Sequence, residues 1–166
     1  MPTLSAGAAS SETDQTPWET ATFTKPDVTA AGSSGAWTTA NSPITIATVT
    51  GIIQLRMFGV VTASFTSTGN NGTIAVTTSV GVPSAGQQFI NSITANGTQA
   101  QTGYVMGSGS VAGAMAFGIT GGQFVPVNGG NIVVVIATNN MTAGGCVFYF
   151  QWIAATAGAT LSVATP

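Results

Sequence analysis

The chain has 166 residues, of which only 4% are charged: two cationic, four acidic and no histidine, for a net charge of −2. Ordinary soluble domains carry roughly a quarter charged residues, so a surface this neutral is expected to be covered by partners rather than dispersed in water. Two cations are too few for a phosphate-binding footprint, which excludes nucleic acid as the ligand.

The first 43 residues hold Glu12, Asp14, Glu19, Lys25 and Asp27, leaving Arg56 as the only charge beyond residue 27. Pro2, Pro17, Pro26 and Pro43 stand here among Ser, Thr, Ala and Gly, a mixture that favours extended backbone. Residues 1–43 therefore read as an extended N-terminal arm, and residues 44–166 as the body. Trp18, Phe23 and Trp37 are spaced too irregularly for one helical face and suit anchors that dock the arm onto another surface. Met1 to Ala6 show no basic start before an apolar run, so a secretory leader is not expected.

From residue 44 onward, short runs of Val, Ile, Thr and Phe alternate with Gly, Asn, Ser and Pro, the pattern of an all-β domain. The strongest predicted strands are 44–49, 52–65 with a break or bulge at Gly59, 73–80, 132–138 and 146–153. Weaker ones fall at 88–93, 111–119 and 159–164. Arg56 shares one face of its strand with Gln54 and Phe58. A guanidinium cannot deprotonate, so a partly buried Arg56 needs carbonyl oxygens, an arm carboxylate or a carboxylate from another chain.

Gly69-Asn70-Asn71-Gly72 predicts a hairpin between 52–65 and 73–80, because Asn-Gly tolerates the positive φ of primed turns. The stretch 96–130 is rich in glycine and reads as short strands and long loops. Val133 to Ile136 does not alternate, which predicts a strand buried on both faces. The run 138–145, with its Asn and Gly pairs, predicts a turn. After it, Val147, Tyr149 and Gln151 alternate with Phe148, Phe150 and Trp152. Both faces of this strand are largely apolar: one is expected to cover the core and the other to meet a neighbouring subunit, which makes Arg56, Tyr149 and Trp152 the interface or structural candidates of the body. Cys146, the single cysteine, is expected as a buried, inert thiol.

Nothing in the sequence assembles a catalytic group. Without histidine no Ser-His or Cys-His nucleophile forms within the chain, and every carboxylate lies in the first 27 residues. No enzymatic activity, metal or cofactor is expected. The glycine-rich stretches lack a following Gly-Lys-Ser/Thr, so they read as loops rather than phosphate cradles. The longest aliphatic run, Ile132 to Ala137, is far short of the ~20 residues that span a bilayer as a helix, and no membrane partner is expected.

The stretch from Gly59-Val60-Val61-Thr62-Ala63-Ser64-Phe65 through Asn70-Asn71-Gly72-Thr73, the turn Thr138-Asn139-Asn140-Met141-Thr142-Ala143-Gly144-Gly145, the aromatic run Phe148 to Trp152 and the closing Ala157-Gly158-Ala159-Thr160 together resemble the structural proteins of tailed-bacteriophage virions. Where those relatives carry Arg-Pro after the last aromatic, this chain has Ile153-Ala154. The resemblance covers roughly residues 35 to 164. It implies a capsid-decoration (cement) protein on the virion surface, made in the host cytoplasm and self-associating, as a trimer, on the lattice of the major capsid protein. The expected fold is an antiparallel β-sandwich of jelly-roll type with the extended arm. Two other readings are a head-fibre or tail-associated virion protein and a carbohydrate-binding module stacking Trp37, Tyr104 or Trp152 on sugar rings.

Overall fold

The computed structural model describes residues 19–25, 37–79, 88–107 and 124–165. Among them every regular element longer than three residues is a β-strand: β1 (Glu19–Lys25), β2 (Ile44–Ser67), β3 (Thr73–Thr78), β4 (Gln88–Thr94), β6 (Val125–Ala137), β7 (Met141–Ala154) and β8 (Thr160–Val163), with a two-residue β5 (Val105–Met106). All pairings are antiparallel and join one curled sheet in the order β1-β7-β2-β6-β3-β4, with β5 and β8 added on β2. The predicted strand 111–119 lies outside the described residues.

β2 is the spine, and it merges the two strands predicted at 44–49 and 52–65. Its 24 residues, if straight, would run ~76 Å. Yet Ile44 is opposite Val134 and Ser67 is opposite Met141, and those partners are seven positions apart, a reach of ~25 Å at most. The strand must therefore curl back on itself. Ile136 N–H donates to Ser42 Oγ just before β2 begins (2.9 Å), and Thr68 N–H donates to the Asn140 carbonyl just after it ends (3.1 Å). One irregularity is at Gly51, whose φ of 69° only glycine adopts readily, and where the pairing with β6 slips between Val49 and Ile52; others fall between Val61 and Ser67, where the pairing with β7 slips. Gly59, the predicted break, lies inside the continuous strand. Its role is spatial, since a Cβ there would stand 2.7 Å from Met106 Cε and 2.9 Å from the Phe148 ring.

Along one edge of β2 run β7 and then β8, opposite Ser67 to Ile53 and Thr50 to Ala47. Along the other run β5 and then β6, opposite Val60–Gly59 and Leu55 to Ile44. The hairpin predicted at 69–72 does not form, because β3 pairs with β4 and β6 and not with β2. β2 already has β7 on one edge at its end, while Phe65 O on that stretch accepts from Asn96 N–H (2.9 Å). The chain instead makes a short 3-10 turn at Thr68–Asn70, secured by Gly72 N–H donating to Ser67 Oγ and by an amide contact between Asn139 and Asn71. β6 starts seven residues before the predicted 132, since Pro126 and Gly129-Gly130 read as breakers but serve as a strand residue opposite Gln54 and a bulge with positive φ.

The core lies on the inner face of the curl. Ile53, Leu55, Met57 and Val61 of β2 alternate inward, and Cys146, Phe148, Phe150 and Trp152 of β7 do the same. Val133, Val134 and Ile136 are buried on β6, the strand held between β2 and β3, and Val135 is half-buried, so the run expected to be buried on both faces is so except at Val135.

The boundary expected at 43/44 does not coincide with the edge of this unit. β1 pairs with β7 over seven residues, from Glu19 opposite Trp152 to Lys25 opposite Cys146. Phe23 and Trp37 are buried in the same core, with Phe23 6.4 Å and Trp37 6.4 Å from the Phe148 ring, and Trp37 stacked on Phe65 at 5.5 Å. These two anchors dock on their own body rather than on another surface, because the inner end of β7 offers an apolar slot that each ring fills. Trp18 lies outside the described residues.

Candidate functional site

The outer face of β1, β7 and β2 carries the side chains that the core does not use. The strand alternation that sends Phe148, Phe150 and Trp152 inward sends Val147, Tyr149 and Gln151 outward, and register aligns them with neighbours. Thr22, Tyr149 and Phe58 form one row across three strands; Thr20, Gln151 and Arg56 form the next. Thr24, Val147, Val60 and Val105 form a third across four. Phe58 and Tyr149 stack with centroids 4.8 Å apart and planes 13° from parallel. Tyr149 is 38% exposed, the only large hydrophobic side chain so open among the described residues. Thr20, Thr22 and Thr24 are exposed on β1, and Phe58, Val60 and Val147 are half-buried.

Arg56 is half-buried on the same face, its guanidinium carbon 5.2 Å from the centre of the Phe124 ring. The expected partners are oxygen atoms; among the described residues the one found is an aromatic face, which attracts a planar cation through the ring quadrupole. Phe58 and Phe124 were not singled out from sequence. The parity of β2 already placed Phe58 beside Arg56, but only the register with β7 reveals the stack on Tyr149, and Phe124 follows a stretch with no legible strand.

Of the three body candidates, Arg56 and Tyr149 share this outer face, while Trp152 points inward and is buried. Trp152 is thus structural and separated from the other two by the sheet. Trp37 is likewise closed in by Phe65 and Phe148, so neither tryptophan offers a ring to a sugar, and Tyr104 is half-buried.

On the opposite face, the last pair of β1 and β7 sets Lys25 beside Cys146. Lys25 is only 3% exposed and Cys146 is fully buried. Burial lowers the lysine's pKa, with the Cys146 thiolate form acting in the other direction. Burial also raises the Cys146 pKa far above the usual thiol range, against the pull of Lys25. A thiol held protonated is a poor nucleophile and a poor metal ligand. Among the described residues no three His, Cys, Asp or Glu side chains gather into a metal-binding group. None of the helical segments described is long and apolar enough to cross a membrane.

Chemically, the outer face can pack: it offers a stacked aromatic pair, three valines in register, a row of threonine hydroxyls and one cation seated on a ring. No family model matches the chain, and neither a curated protein nor a solved structure does.

Proposed function

We propose that this chain is a bacteriophage virion structural protein that decorates and stabilises the capsid shell by protein–protein packing, without catalysis. The observation that carries the reading is the outer face of β1, β7 and β2, where Tyr149, Phe58, Val60 and Val147 stand together on a chain with 4% charged residues. Such a face is better suited to contact with another protein than to water. The resemblance in residues 59–73, 138–152 and 157–160 to tailed-phage virion proteins supplies the class of assembly. In this reading the curled sheet closes as a two-layer sandwich of jelly-roll type, with the two halves of β2 in opposite layers. Copies associate, as a trimer, and sit on the major capsid protein lattice at the virion surface after synthesis in the host cytoplasm. Neither nucleic acid nor membrane is a partner.

Quantitative mass spectrometry of purified particles tests the role. Hundreds of copies per virion are expected for decoration, whereas a handful would transfer the protein to a head fibre or the tail. Sedimentation equilibrium of the free protein tests the assembly: a clean 16.4 kDa monomer at micromolar concentration would remove self-association.

A further inference from the structure

β1 combines three features, the first of which it shares with β4 at the other end of the sheet. Among the described residues it is hydrogen-bonded along one edge only, to β7. It is joined to the rest of the unit through residues 26–36. And its inner face pairs a good anchor with a poor one: Phe23 against Phe148, and Lys25 closed in beside Cys146. Lysine is almost never buried without a partner, and no carboxylate pairs with Lys25 among the described residues. Among the described residues the charged groups on the elements around it are few, Glu12, Asp14 and Asp27 lying outside them. Glu19 lies at the far end of the same strand, Arg56 is on the outer face, and β7 presents only the thiol of Cys146.

The connection is also longer than the fold needs. Lys25 is opposite Cys146, and the Trp37 carbonyl accepts from Met141 N–H, so the two ends lie about five residues apart along β7, ~17 Å. Twelve steps of chain separate them in sequence and can reach ~40 Å.

We propose that Glu19–Lys25 is an exchangeable strand, so that the β7 edge of one copy accepts this segment from a second copy of the chain. The receptor is the edge of β7 from Cys146 to Trp152 with the slot at Phe148; the occupant is fixed by the fact that this segment already fits it residue for residue. Strand exchange keeps every contact seen within one chain, which makes it a low-cost route to association. The buried ammonium weakens the hold of the strand in its own chain and so eases its departure. The inference rests on the self-association part of the proposed function and not on the virion role.

The test uses the register pair Thr20 and Gln151 on the outer face. Directly opposed residues of an antiparallel pair have Cα atoms ~4.5–5.5 Å apart, within the range a disulfide spans. Full-length T20C and Q151C proteins are mixed and oxidised mildly, and the bridge is identified by peptide mass. The double variant T20C/Q151C reports that the pair can close. Exchange predicts a covalent heterodimer carrying the 20–151 bridge, and a lower yield of it at a fixed time when K25M is introduced in both proteins. If the double variant closes within one chain while the mixed single variants give no heterodimer, the proposal fails. Sedimentation of the same samples separates the two ideas: association without the bridge overturns strand exchange but leaves self-assembly standing, and absence of both overturns the two together.

Discussion

The two faces of β7 are both largely apolar and have opposite fates. Cys146, Phe148, Phe150 and Trp152 point inward and are buried against β2, Phe23 and Trp37; Val147, Tyr149, Gln151 and Ile153 point outward and stay partly open. Hydrophobic character alone does not decide which face becomes core. The curl of β2 does, because it encloses one side of the sheet and leaves the other on the surface. The inner face thus accounts for stability, and the outer one is free to account for association.

The sharpest way to break this comparison is to remove the pieces that reach the inner face from outside the body. Deleting residues 1–43 takes away β1, Phe23 and Trp37, and exposes Phe148 and Phe65. Loss of cooperative thermal unfolding by circular dichroism is expected. A truncated protein melting as sharply and as high as the full chain would restore residue 43 as a true boundary.

Neighbouring substitutions on the one strand come next. Phe148→Ala should cost about 3–5 kcal/mol in urea unfolding, as for other large aromatics removed from a core. Gly144→Ala, on the same strand, should approach the lower end of that range, since its φ is 128° and a Cβ there would press on the backbone and ring of Phe65. Tyr149→Ala should cost only about 1 kcal/mol, the worth of an aromatic pair, yet weaken self-association in sedimentation. Equal losses of stability at 148 and 149 would mean that the outer face is not free.

The Lys25–Cys146 pair sharpens the comparison through pH, and its members act with opposite signs. The folded thiol holds its proton while the unfolded one releases it above pH ~8.5, so Cys146 makes stability fall as pH rises past that point. Folded Lys25 holds its proton less firmly than unfolded lysine, so between its lowered pKa and ~10.4 it makes stability rise with pH. Urea unfolding from pH 7 to 10 should therefore show only the downward slope in K25M and only the upward one in C146A. Identical slopes in the two variants would show that the pair is not buried as described.

Two smaller effects complete the series. Thr78 Oγ1 is buried with no hydrogen-bond partner among the described residues, so Thr78→Val should stabilise by about 1 kcal/mol. Arg56→Ala should cost about 0.5–1 kcal/mol through the lost contact with Phe124, because a cation on a ring at a half-buried site leaves no orphaned acceptor behind. A loss of several kcal/mol would indicate instead an oxygen partner for the guanidinium.

By itself the sequence determined most of the strand-forming segments of the described body, the inward and outward parity of β7, the burial of Cys146 and of Val133, Val134 and Ile136, and the shared face of Arg56 and Phe58. Each of these depends on neighbours within a few residues, through β-branching and the two-residue period of a strand. Only the tertiary structure decided that Phe23 and Trp37 belong to the core, that 69–72 turns without closing a hairpin, that β6 runs through Pro126 and Gly129-Gly130, and that Tyr149 stacks on Phe58. Those outcomes depend on which strands compete for the two edges of β2 and on the curl of β2, with irregularities at Gly51 and between Val61 and Ser67, that returns residue 67 toward residue 44. Pairings between residues some 100 positions apart leave no trace in local composition, because the free energy that selects them comes from enclosing one face of the sheet as a whole.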